Sequence, residues 1–169
     1  MKHISLEDFK NRVLTSQERV HFTFVDPYGH LNANRYLEFI LNHRIAAAEE
    51  QLQCVTMDIA KEMKIGFVVS DVTLKYLSPA FLGEELEIAS WVTEVLAQGF
   101  KISAVISSAK TKKVKLSACL EFKSVGAADG RLTEMPTALP TRSEERLIES
   151  RPLASEYVST IRGLAEGSV

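Results

Sequence analysis

The stretch Phe24-Val25-Asp26-Pro27-Tyr28-Gly29-His30-Leu31-Asn32-Ala33-Asn34-Arg35-Tyr36 decides the fold, because the hydrophobic period changes across it. On its N-terminal side Val20, Phe22 and Phe24 alternate with Arg19, His21 and Thr23, the two-residue period of a strand with one buried face. On its C-terminal side Tyr36, Leu37, Ile40, Leu41, Ile45, Ala48 and Leu52 recur at three- and four-residue steps, which predicts a long amphipathic helix over residues 33–52. Pro27 and Gly29 force a turn between the two periods. Asn32 suits the helix N-cap, where a short amide side chain can accept from the N–H of Asn34 or Arg35. That leaves the first helical N–H, at Ala33, free. Unpaired N–H groups at a helix start carry partial positive charge and suit a developing oxyanion. A carboxylate at Asp26 and a donor at Ala33 on one turn are what acyl transfer needs.

Working outward, four apolar-rich strands are predicted at residues 66–77, 86–95, 100–110 and 114–125. Short connectors separate them, which favours antiparallel hairpins between successive strands. A shorter helix is expected over 56–63. Strand, long helix and four strands make an α+β fold, most economically one curved antiparallel sheet wrapped around the long helix. Its free edges would invite pairing with a second copy. Residues 1–16, with Ile4, Leu6, Phe9, Val13 and Leu14 among polar neighbours, suit a short amphipathic helix or ordered leader. The domain then covers residues 17–136, with a last extended piece at 131–136. Residues 137–169 form a C-terminal extension with helical patterning at 143–150 and 153–164.

At 169 residues the chain suits one well-buried domain, and a net charge of −2 argues against a general nucleic-acid binder. Its first twenty residues lack an apolar signal-peptide core and no stretch is long enough to span a bilayer, so the expected location is cytoplasmic. Cys54 and Cys119 lie far apart and are expected as reduced thiols. The histidines at 3, 21, 30 and 43 form no metal-binding pair, so no metal is expected.

The run Asp26-Pro27-Tyr28-Gly29-His30-Leu31-Asn32, followed by Tyr36, resembles the turn and helix start of hotdog-fold acyl-CoA thioesterases of the 4-hydroxybenzoyl-CoA thioesterase-like family. The resemblance continues through Trp91, Gly99-Phe100 and residues 131–136, covering about 17–136. It implies a hotdog fold, Asp26 as the catalytic carboxylate, and the Ala33 N–H as the group that polarises the thioester carbonyl. Tyr28, Gly29, His30, Asn32 and Tyr36 are then the substrate-binding candidates. The reaction implied is hydrolysis of an acyl-CoA to free acid and CoA, with no cofactor, since coenzyme A is part of the substrate. A homodimer or homotetramer with its site at the subunit interface is also implied. Many relatives carry two aspartates two positions apart in this turn; the first falls on Phe24 here, which removes any role for a carboxylate pair.

Other readings stand beside these. His30 could assist the base or only orient the turn. Asn32 serves as cap or as ligand contact, and Tyr36 as core or acyl-pocket wall. Lys110, Lys112, Lys113 and Lys115 could meet the phosphates of coenzyme A or form a solvated hairpin. Glu49 and Glu50, far along the helix, suit a solvated face better than a second catalytic carboxylate. The alternative function is a non-catalytic acyl-ligand binding module; a hydratase would need a His paired with Asp or Glu on the helix, which is not found.

Overall fold

The computed structural model describes residues 3–140. In chain order its elements are β1 (His3–Ser5), α1 (Leu6–Asn11), β2 (Val13–Arg19), a 3-10 turn (Phe22–Phe24), α2 (Ala33–Leu52), α3 (Thr56–Glu62), β3 (Ile65–Tyr76), β4 (Glu85–Leu96), β5 (Gly99–Ser108), β6 (Val114–Gly126) and β7 (Ala138–Pro140). The main sheet runs β2-β4-β5-β6-β3, antiparallel throughout, and a small second sheet pairs β1 with β7. This is the expected α+β architecture, an antiparallel sheet packed on a long helix.

Period-two alternation fills the space between sheet and helix. Leu86, Ile88 and Val92 of β4, Ile102 and Ile106 of β5, and Leu116 and Leu120 of β6 share one buried cluster with Tyr36, Phe39 and Ile40 of α2. Register shifts at Val69/Asp71, Val92/Glu94 and Ile106/Ser107 add local twist, which lets the sheet curve around the helix. Gly99, at φ 149°, opens β5 where an added Cβ would stand 1.9 Å from the Phe122 carbonyl oxygen. Only glycine fits there.

Three sequence expectations are corrected. The first strand lies at Val13–Arg19, not at Arg19–Phe24. After it, Val20 closes the sheet edge by bonding Glu84 O (3.0 Å) and Gly83 N–H (2.8 Å), and the chain lifts away in a 3-10 turn. The alternation of Val20, Phe22 and Phe24 therefore has no common face: Val20 is buried, Phe24 packs edge-on to Phe39, and Phe22 is 79% exposed.

Second, β3 and β4 are not a hairpin. β3 pairs only with β6, on the far side of the sheet from β4. Residues 77–84 cross the intervening strands β5 and β6. Three strand spacings come to roughly 14 Å, well within the reach of that loop.

Third, the buried stripe of α2 is Tyr36, Phe39, Ile40, His43, Arg44, Ala47 and Leu52, while Ile45 is 55% exposed. Two ionisable side chains occupy the apolar face because the sheet supplies partners for them, as shown below.

The leading segment forms β1 and α1, with Phe9 buried edge-on to Phe100 at 5.6 Å. Residues 131–136, expected as a last extended piece, run beside the sheet with one isolated bridge, Leu132 to Val125, and bonds from Thr133 N–H to Ser124 O and Met135 N–H to Ala97 O. The helical patterns at 143–150 and 153–164 lie outside the described residues.

Candidate active site

The Asp26 turn closes through its own backbone. The Asp26 N–H donates to His30 O at 2.8 Å, the Gly29 N–H donates to Asp26 O at 3.0 Å, and Val25 bridges Leu31. Gly29 sits at φ 77°, a left-handed conformation that glycine adopts without strain. The carboxylate completes the turn, with Oδ1 accepting from Tyr28 N–H (2.9 Å) and His30 N–H (3.0 Å). Among the described residues Oδ2 takes no hydrogen bond. One oxygen thus fixes the carboxyl group in the turn.

Three residues past His30 the chain enters α2. Asn32 is the N-cap, and its Oδ1 accepts from Asn34 N–H at 3.1 Å. Arg35 N–H is taken by Asn32 O at 2.9 Å. The Ala33 N–H meets no protein acceptor among the described residues, and Ala33 is exposed. Its carbonyl accepts from the Tyr76 hydroxyl at 3.0 Å, which pins the first turn of the helix to the end of β3. Asn32 N–H donates to Phe24 O at 2.9 Å, joining the two ends of the motif.

The crossing loop 77–84 lies on this turn. Leu31 N–H donates to Ala80 O (2.8 Å), and Leu82 N–H donates to Gly29 O (3.1 Å). The buried Ala80 N–H donates to the Tyr36 hydroxyl at 3.1 Å. Burial first, then the charge of Glu84 and the neighbouring Tyr76, raise the Tyr36 hydroxyl above its usual range, against the lowering effect of Ala80. The His30 ring stands edge-on to Phe81 at 5.1 Å.

The sequence candidates therefore divide by setting. Asp26, Gly29 and His30 are half-buried within one hydrogen-bonded turn, and Asn32 and Ala33 form the exposed helix start beside it. Tyr28 projects from the turn, 84% exposed. Tyr36 is core, its hydroxyl committed to Ala80. Phe22, Phe81 and Leu82 are also exposed, so the loops around the carboxylate carry apolar surface. Glu49 is half-buried and Glu50 exposed on the far part of α2. Of the lysine cluster, Lys110 and Lys113 are exposed, Lys112 pairs with Glu87, and Lys115 is buried.

A polar cluster under α2 went unread in the sequence. His43 is buried, its Nδ1 2.7 Å from Ser16 Oγ and its Nε2 2.9 Å from Ser90 Oγ. Arg44 reaches the same Ser90 Oγ at 3.4 Å and lies over the Phe9 ring at 5.4 Å. Burial, reinforced by Arg44, lowers His43 to about 4. Burial likewise lowers Arg44 to about 10 and raises Cys54 to about 11. These groups brace helix to sheet. Their sequence signal was the four-, three- and four-residue spacing of Tyr36, Ile40, His43 and Ala47, which continues the apolar stripe only if a histidine is admitted to it. Among the described residues no group of three His, Cys, Asp or Glu side chains is placed to hold a metal ion. None of the described helices is long and apolar enough to cross a membrane.

The sheet wrapped on α2, with an acidic turn at the helix start, defines a hotdog-fold protein of thioesterase type. The Thioesterase-like superfamily matches residues 20–142, and the chain belongs to that superfamily. No curated protein sequence matches the chain significantly. Solved structures of the same architecture include a 1,4-dihydroxy-2-naphthoyl-CoA thioesterase from Synechocystis, 15% identical with a TM-score of 0.67, covering 74% of this chain and 90% of that one. A probable thioesterase from Escherichia coli is 24% identical, with a TM-score of 0.64 and coverage of 72% and 89%. A Staphylococcus aureus protein solved in complex with CoA is 10% identical, with a TM-score of 0.66 and coverage of 74% and 77%. At these identities the likeness is one of fold.

Proposed function

We propose that the protein hydrolyses an acyl-CoA thioester to the free acid and CoA. In this reading Asp26 is nucleophile or general base, and the start of α2, through the Ala33 N–H, is the oxyanion hole. The carrying observation is the Asp26 carboxylate itself. Two backbone N–H groups hold one of its oxygens, the other is uncommitted among the described residues, and its turn leads directly into a helix start. Membership of the Thioesterase-like superfamily supports the reaction class, and the CoA complex of the S. aureus relative supports the leaving group.

As nucleophile, Asp26 Oδ2 attacks the thioester carbonyl carbon, the C–S bond breaks and CoA departs as its thiolate. Water then hydrolyses the mixed anhydride and regenerates the carboxylate. As general base, Asp26 takes a proton from a water molecule that attacks the same carbon. Both routes place negative charge on the carbonyl oxygen, where a fixed helix-start N–H acts without reorganising. Tyr28, Gly29, His30, Asn32 and Tyr36 are the proposed substrate-binding residues, with Tyr36 acting through the loop it holds. No cofactor is required beyond the CoA of the substrate.

The proposal includes a cytoplasmic homo-oligomer. β3 is an edge strand of the main sheet, and its Val68, Val69 and Tyr76 side chains are exposed. An apolar edge of this kind suits pairing with a second copy. The test is to incubate the purified chain with short, long and aromatic acyl-CoAs and a thiol-trapping reagent. Release of free CoA from at least one of them is expected. Saturable binding with no thiol release from any would refute hydrolysis and favour an acyl-ligand binding module.

A further inference from the structure

Lys115 is the group around which the crossing loop folds. It is 5% exposed, and its flanking elements turn its backbone and its ammonium toward the same segment. Its carbonyl accepts from Leu77 N–H (2.8 Å) and Ser78 N–H (3.1 Å). Its Nζ donates to Pro79 O at 2.9 Å and lies 2.8 Å from Glu84 Oε1 and 3.0 Å from Oε2. The Glu84 carboxylate in turn accepts from Phe81 N–H at 3.1 Å. The Phe81 ring lies with its centroid 5.8 Å from the Lys115 ammonium and stands edge-on to the His30 ring. Leu77, Ser78, Pro79 and Glu84 are thus bonded to Lys115 directly, and Phe81 through Glu84.

That same loop makes the hydrogen bonds to the Asp26 turn and to α2 described above: Leu31 N–H to Ala80 O, Leu82 N–H to Gly29 O, and Ala80 N–H to Tyr36 Oη. A buried ammonium costs several kcal/mol of desolvation unless it is paired and fully hydrogen-bonded. An ordinary solvated hairpin lysine would avoid that cost. Here the partners are supplied by the loop that touches both the carboxylate's turn and the first turn of α2.

We propose that Lys115 is a positioning residue for the thioesterase site, a charged clamp that holds loop 77–84 and, through it, sets Asp26 relative to the Ala33 N–H. The proposal rests on the reading of Asp26 as the reacting carboxylate. Lys115 touches neither substrate nor reacting atoms. Its effect is geometric: loosening the loop frees Gly29 and Leu31, the turn residues whose backbone bonds to it.

The test compares Lys115→Met, and a Lys115→Met/Glu84→Gln double variant that leaves no unpaired buried charge, with the wild-type chain. Two readouts are taken, amide hydrogen exchange and acyl-CoA turnover. Local opening should speed exchange of the Leu31 and Leu82 amides by roughly tenfold or more, with amides of β4, β5 and β6 unchanged in the double variant. Misplaced catalytic groups should lower kcat by roughly tenfold to a hundredfold with KM little changed. Unchanged protection of Leu31 and Leu82 would overturn the clamp, as would equal acceleration across the whole sheet in both variants. A loosened turn with unchanged kcat would overturn its role in the chemistry. Absence of turnover in the wild-type chain would refute the hydrolase reading instead, and the exchange arm would still decide the clamp.

Discussion

Acid should weaken this fold through His43 in a defined window. The imidazole is enclosed by Ser16, Ser90 and Arg44, and burial, aided by the arginine charge, lowers it from 6.5 to about 4. Between those values the unfolded chain binds a proton that the folded chain refuses. The stabilisation is therefore complete above about pH 6.5 and is lost as pH falls toward about 4. A gap of that size is worth about 3 kcal/mol across the whole window, and about 2 kcal/mol by pH 5. The perturbation is His43→Gln, which keeps a neutral hydrogen-bonding side chain at the site and removes the titration. Urea unfolding at one fixed protein concentration, at pH 7 and pH 5, measures the difference. The wild-type chain should lose about 2 kcal/mol more than the variant over that step. Subtracting the variant removes contributions from other groups, including Glu84. Burial pushes that carboxyl up, but bonds from Lys115, the Phe81 N–H and Ser108, with the Lys115 charge, hold it below its usual range. Parallel pH profiles for the two proteins would refute the reasoning.

Two further outcomes follow from local geometry. Asn32→Ala removes the acceptor for Asn34 N–H and should cost about 1 kcal/mol of unfolding free energy in the same denaturation assay. Cys119 is exposed and Cys54 is buried with its thiol raised to about 11, so a thiol reagent at neutral pH should modify Cys119 promptly and Cys54 only on unfolding, as read by mass spectrometry.

Much of this molecule is written in local pattern. Residues 33–52 carry a helical period and a competent N-cap, and both the helix ends and the Asn32–Asn34 bond agree with that reading. The four later strands stand within a few residues of their expected positions because each is rich in apolar residues and ends at Gly, Ser or Lys-rich turns. The turn around Asp26 was legible for the same reason, since Pro27 and Gly29 leave few conformations. What local pattern lacks is the partner across the fold. Nothing near Lys115 distinguishes it from Lys112 or Lys113; its burial depends on loop 77–84 crossing the sheet, and that crossing depends on strand order. His43 and Arg44 look like a break in the apolar stripe until Ser16 and Ser90 are opposite them. The strand expected at Arg19–Phe24 failed because alternation over six residues does not say whether the chain remains in the sheet.

The central claim concerns one carboxylate, and Asp26→Asn tests it most directly. An asparagine side-chain oxygen can still accept from the Tyr28 and His30 N–H groups, so the turn should survive while the negative charge is removed. The measurement is CoA release from the best acyl-CoA of the panel by the folded variant, beside the wild-type chain. The account predicts a fall in turnover by orders of magnitude with the unfolding midpoint little changed. Near-normal hydrolysis by folded Asp26→Asn would contradict it.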